Sequence, residues 1–164
     1  MPVLSKNVQQ QLRNLDVKSL KLPNGKTIES ELKRHAAILA DCIQSRLDEV
    51  YESYEPKQYK RSYRLLNSLF IGPVQIEAKS TGVSLAVHIG FDEGAIHRGF
   101  DGQDADTALL LNDGWRTNGS FKNVPYLGYR DGTYFIEQGI ADYKRKVPNP
   151  FPIMLNKHGV PEYF

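Results

Sequence analysis

Between Thr27 and Tyr54 apolar residues recur at helical spacing. Leu32, Ala36, Leu39, Ile43, Leu47, Val50 and Tyr54 fall within an arc of about 80° when successive residues are turned by about 100°. Glu31, Arg34, Asp41, Asp48, Glu49 and Glu52 occupy the other side. Thr27 is placed to cap the start, Glu29 and Glu31 suit the positive end of the helix dipole, and Pro56 stops the continuation. One long amphipathic helix is predicted. At ~1.5 Å per residue it spans roughly 40 Å, longer than a domain of this size needs for its own core. Part of it is therefore expected to project or to meet a partner. Ile38 and Cys42 lie off the stripe. They read either as a widening of the buried face or as a contact with another subunit.

Further along, the period changes from that of a helix to that of a strand. Val74, Ile76 and Ala78 alternate with polar neighbours, Ser80-Thr81-Gly82 turns the chain, and Val83, Leu85, Val87, Ile89 and Phe91 return. A β-hairpin with one buried face follows from this pattern. Tyr59 to Leu69, ahead of it, suits a short helix or a turn leading into a strand. Asp92 to Gly102 reads as a loop and Ala105 to Asn112 as a short helix ended by Asp113-Gly114. Trp115 to Asp131 reads as a long loop or an irregular hairpin. A last helix is expected from Gly132 or Thr133 to Val147, where Ile136, Ile140, Tyr143 and Val147 lie within about 60° and Lys144, Arg145 and Lys146 meet the negative end. Gly139 costs this helix about 1 kcal/mol against alanine, so either the helix is weaker there or another backbone approaches closely.

The ends differ from the middle. Residues 1–26 scatter Leu12, Leu15, Val17, Leu20 and Leu22 among polar positions and break at Pro23-Asn24-Gly25, a docked arm with one short helix. Residues 148–164 begin Pro148-Asn149-Pro150-Phe151-Pro152, which cannot be helical and is expected to run extended. Residues 27–147 then make a single α+β domain, a long N-terminal helix and a C-terminal helix packed on a small, mainly antiparallel β-sheet. A length of 164 residues suits one domain, and 40% hydrophobic with 24% charged residues suits a globular one. No apolar run approaches the ~20 residues of a membrane helix, and no signal-peptide pattern opens the chain. The lone Cys42 excludes an internal disulfide and points to synthesis in a reducing cytoplasm.

Candidate chemistry is sparse. Asp92, Glu93 and His97 offer two carboxylates and an imidazole, yet their spacing matches no metal motif, and such residues are common in solvated loops. Asp101, Asp104 and Asp106 lack the spacing of a calcium loop and suit a helix cap. His88 falls on the polar face of its strand. No nucleophile elbow, zinc-protease helix or phosphate loop is present, so no catalytic residue, metal or cofactor is expected. A net charge of +2 is too small to imply nucleic acid by itself. Lys57, Lys60, Arg61 and Arg64 do alternate with Tyr54, Tyr59 and Tyr63, the mixture of a backbone-and-stacking groove. The same pattern arises when Tyr and Leu pack inward and the cations reach water.

Taken in order, the long helix, Tyr59-Lys60-Arg61-Ser62-Tyr63-Arg64-Leu65-Leu66-Asn67-Ser68-Leu69, the hairpin, Leu109-Leu110-Leu111-Asn112-Asp113-Gly114 and Tyr134-Phe135-Ile136-Glu137 resemble the tail-completion, or head–tail joining, family of long-tailed bacteriophages. The likeness covers residues 27 to 147. It departs at Tyr63, where members carry a small residue or glycine. The resemblance implies a virion structural protein without catalysis. Such a protein would form a ring of identical subunits at the neck, between the portal or its adaptor and the tail tube or tail terminator, with DNA possible in the channel. Its candidate contact residues are Ile38, Tyr59, Arg61, Tyr63, Arg64, Trp115 and Phe151. The alternative is a small DNA-binding protein using Lys57 to Arg64.

Overall fold

A computed structural model of the chain describes residues 6, 10, 16–53, 63–79, 82–92, 95–98, 104–116, 129–157 and 160–163. Among them are three α-helices, α1 (Ile28–Glu52), α2 (Thr107–Asp113) and α3 (Phe135–Lys146). Eight strands pair as four two-stranded ladders: β1 (Leu69–Lys79) with β2 (Gly82–Phe91), β3 (Ile96–Arg98) with β4 (Asp104–Asp106), β5 (Gly114–Arg116) with β6 (Tyr129–Asp131), and β7 (Met154–Lys157) with β8 (Val160–Tyr163). The fold is mixed α+β, with the long N-terminal and the C-terminal helix expected from their periodicity. None of the described helices is long and apolar enough to cross a membrane. Two compact units form, Met1–Ile38 with Ile71–Gly90 and Leu39–Phe70 with Phe91–Phe164.

In the first unit, the Pro23-Asn24-Gly25 break is the tip of a closed turn. Leu22 N–H donates to the Lys26 carbonyl, Gly25 N–H to the Leu22 carbonyl, and Ile28 N–H to the Leu20 carbonyl. Gly25 supplies the left-handed backbone, at φ 79°. The arm's end is thereby joined to the start of α1. Thr27 caps the helix as its sequence suggests, its Oγ1 accepting from Ser30 N–H at 3.1 Å. Val74 is buried on β1, whereas Ile76, expected on the same face, is 39% exposed. Strand alternation therefore describes only part of that face.

The second unit holds the core. Ile43 and Leu47 of α1, Leu65, Ala95, Ala108 and Leu111, and Phe135, Ile136 and Ile140 of α3 form one buried cluster. Phe91 at the end of β2 meets Phe135 edge to face, with ring centroids 5.9 Å apart. Gly139 sets how closely the two helices cross. A Cβ built there would lie 2.7 Å from the Ile43 Cα and 2.9 Å from its backbone nitrogen. The glycine therefore marks a close backbone approach.

Polar groups tie the ends of α2 and α3 together. Asp106 caps α2, accepting from Ala108 and Leu109 N–H groups, so the helix starts at Thr107 and the residues before it pair as β4. At its other end Asn112 is fully buried. Its Oδ1 accepts from Ile136 N–H at 2.9 Å and its Nδ2 donates to Glu137 and Asp113. Tyr134, in the left-handed conformation at φ 52°, precedes α3 without capping it, so Asn112 serves an N–H that a local cap usually takes. Gly132 admits this junction, since a Cβ there would lie 2.6 Å from the Asn112 carbonyl oxygen. The tail is non-helical after Val147, but its end is the β7–β8 hairpin rather than a plain extended run. Ile153 and Leu155 pack on the core cluster, which supplies the apolar support that an isolated hairpin lacks.

Replacing Gly139 with alanine would raise helix propensity, yet it forces α1 and α3 apart. Gly139→Ala is expected to destabilise the chain by about 1–3 kcal/mol in urea unfolding, the usual cost of overpacking. An increase in stability would show that the crossing is not limited by the glycine.

Candidate assembly surface

The residues expected to make contacts fall in different settings. Ile38 is half-buried on α1, so only part of it is available to a partner, while its off-stripe companion Cys42 is buried at 2% exposure. Tyr63 and Arg64 are exposed at the start of the turn leading to β1. Tyr59 and Arg61 lie outside the described residues, as do Lys57 and Lys60. Trp115 pairs through its backbone with Arg130 in β5–β6, the hairpin alternative for that stretch, and its side chain is outside the description. Phe151 is half-buried, and its N–H donates to the Tyr143 hydroxyl at 3.1 Å. It is thus anchored in the second unit.

Tyr63 has φ 54°, a conformation that favours glycine. The tyrosine ring packs against Tyr51 at 5.9 Å, a contact available only to a large side chain. The turn that follows is closed by Asn67, which donates to the Tyr63 carbonyl, and by the buried Ser68, whose hydroxyl donates to the Leu65 carbonyl. Asp92 N–H then donates to the Ser68 carbonyl, fixing where β2 ends.

Sequence reasoning did not single out the start of β1. Phe70 is 41% and Ile71 44% exposed. Successive residues on a strand point to opposite faces, so here the strand is covered fully on neither. Leu20 is also exposed in the first unit, and Ile96, Tyr134 and Met154 in the second. An odd placement of apolar residues relative to the alternation was the available signal.

Charges fix two places on α1. In the first unit Glu31, assigned to the polar side by its helical position, is buried. Its carboxylate accepts from Arg34 Nη2 at 2.8 Å and pairs with Lys26 at 3.1 Å, and these partners compensate its burial. Hydrogen bonds from Arg34 and then Lys26 hold its carboxyl down at about 2. In the second unit Arg46 donates to Asp142 of α3 at 2.6 Å and to Glu49 at 2.7 Å. Arg46 chiefly, with Arg145 on the same carboxylate, keeps Asp142 at about 2.

Of the candidate ligands Asp92, Glu93 and His97, Glu93 and the His97 side chain lie outside the described residues. No group of three His, Cys, Asp or Glu side chains among the described residues could hold a metal. The described residues form a mixed α+β fold. No protein-family model, curated protein or solved structure matches the chain.

Both carboxyls titrate lower in the folded chain than the ordinary carboxylate value of about 4, so between about pH 4 and about pH 2 the unfolded chain binds more protons. Stability is therefore expected to fall as pH falls through that window. Urea unfolding midpoints between about pH 5 and about pH 2 measure it. Asp142→Asn should flatten the decline, and an unchanged slope would show that the Arg46 pair has no part in it.

Proposed function

We propose that the chain is a structural subunit of a tailed-bacteriophage neck, assembling into a ring between the portal or adaptor and the tail tube or tail terminator. It acts by protein–protein contact, without catalysis or a cofactor, and its place is the virion after synthesis in the bacterial cytoplasm. The observation that carries this reading is the start of β1, where Phe70 and Ile71 expose apolar surface on both faces of one strand. Single exposed apolar residues are routine, whereas two successive ones on a strand leave apolar surface on each of its faces. Support also comes from the order of elements, since a long helix, a tyrosine-led turn, a hairpin, a short helix ending at Asn112-Asp113 and a last helix succeed one another as in the family resembled. A ring requires one patch to meet a different patch on the next copy, and exposed apolar residues occur in both units.

Sedimentation of the purified chain should give a multiple of 18.6 kDa, and mass spectrometry should find it in purified virions. Ile71→Ser with Phe70→Ser is expected to shift the assembly toward monomer while helix content by circular dichroism stays unchanged. A strictly monomeric chain absent from virions would sink the proposal. The DNA-binding reading draws on the exposed Tyr63-Arg64 pair. It requires instead a duplex affinity that falls steeply with salt and is lost with Arg61→Ala and Arg64→Ala together.

A further inference from the structure

α3 ends at Lys146, and Val147 behind it is buried and extended. Pro148, Asn149 and Pro150 follow, all exposed. Each proline ring locks its own φ near about −65°, so Asn149 decides where the next segment goes. Asn149 sits at φ 56°, in the left-handed region that asparagine tolerates better than most side chains. It also precedes a proline, and a residue in that place favours extended backbone, with φ near about −120°. The turn is held against its local preference, and such a conformation persists when surrounding structure sustains it.

The segment after the turn supplies that support. Phe151 N–H donates to the buried Tyr143 hydroxyl at 3.1 Å, and Ile153 and Leu155 pack on the core cluster of the second unit. β7 and β8 pair with each other, so the segment carries a ladder of its own and can move as one piece. An isolated hairpin is marginal in water, so a segment that leaves its core needs another apolar support. A second copy of the chain presents the same hydroxyl and the same cluster. Every contact between segment and core can therefore be made between copies as well as within one.

We propose that Asn149 is the hinge of an exchange arm, by which the β7–β8 segment of one copy seats on the core of a second copy. In the exchanged form Asn149 is extended, as its proline neighbour favours, and the hairpin keeps its apolar support. A short hinge under strain favours such an exchange. Release of that strain drives it, and dilution opposes it. The exchange depends neither on the neck reading nor on Phe70 and Ile71.

Isotope-filtered NMR of the full chain tests the exchange, with labelled and unlabelled copies mixed in urea and refolded together. Methyl groups of Ile153 and Leu155 in one copy are expected to show NOEs to the cluster of another, weakening on dilution. Asn149→Gly, at ease in the left-handed region, should lose them. Asn149→Val, a branched side chain poorly tolerated there, should retain them at roughly tenfold lower concentration, the scale of one strained residue. Phe70→Ser with Ile71→Ser should leave them in place, which separates the arm from the proposed ring contact. The proposal is overturned if the arm's NOEs stay within one copy in both the wild-type chain and Asn149→Val. NOEs between copies that are as strong in Asn149→Gly as in the wild type, or that vanish with Phe70→Ser and Ile71→Ser, overturn it equally.

Discussion

The close crossing of α1 and α3 at Gly139 is the constraint on which the second unit depends. An alanine Cβ at this position would overlap the Ile43 backbone, so the missing side chain sets the separation of the helices. That separation lets Ile43 and Leu47 reach Phe135, Ile136 and Ile140 within one cluster. Because protein interiors are packed to crystal-like density, a small increase in spacing would open voids along the whole seam. The Arg46–Asp142 pair spans the same two helices. It adds direction to the crossing, whereas the apolar cluster supplies most of the drive, since ion pairs reached by solvent contribute little.

A second constraint acts at the helix ends. α2 has seven residues, too few to be stable alone. Asp106 satisfies its first N–H groups, and Asn112 transfers its far end onto the start of α3. Both helices are thereby fixed by one buried amide. The arrangement explains how Tyr134 can sit in a left-handed conformation just before α3 without supplying a cap, because the capping bond arrives from another element.

The elements legible in the sequence are those long enough to repeat their period. α1 runs for 25 residues, so six apolar positions from Leu32 to Val50 specify its face and Thr27 its start. The β3–β4 and β5–β6 ladders have three residues a strand, too short for alternation to stand out among glycines and acids, so the first reads as loop and short helix and the second as a long loop or an irregular hairpin. Asp106 also shows how a cap can be recognised while the helix boundary is misplaced. Glu31 illustrates a different limit. Its position on the helical wheel is polar, but Lys26, five residues earlier on the closed turn, folds back to cover it. Gly139 left two readings open, a weak helix or a close approach, and only the position of Ile43 decides between them.

The candidate contact surface was legible to a lesser degree. Tyr63 and Arg64 were picked out by residue type and are exposed, while Ile38 and Phe151 are half-buried. Phe151, an aromatic between prolines, has its backbone tied to the buried Tyr143. The exposure at the start of β1 was not anticipated. Apolar residues in a strand are read as core, and whether either face is covered depends on layers that the strand's own sequence does not encode. Phe70 and Ile71 stay exposed on alternate faces, so no register shift of β1 could bury both on one side. A layer covering either face would have to come from outside the strand.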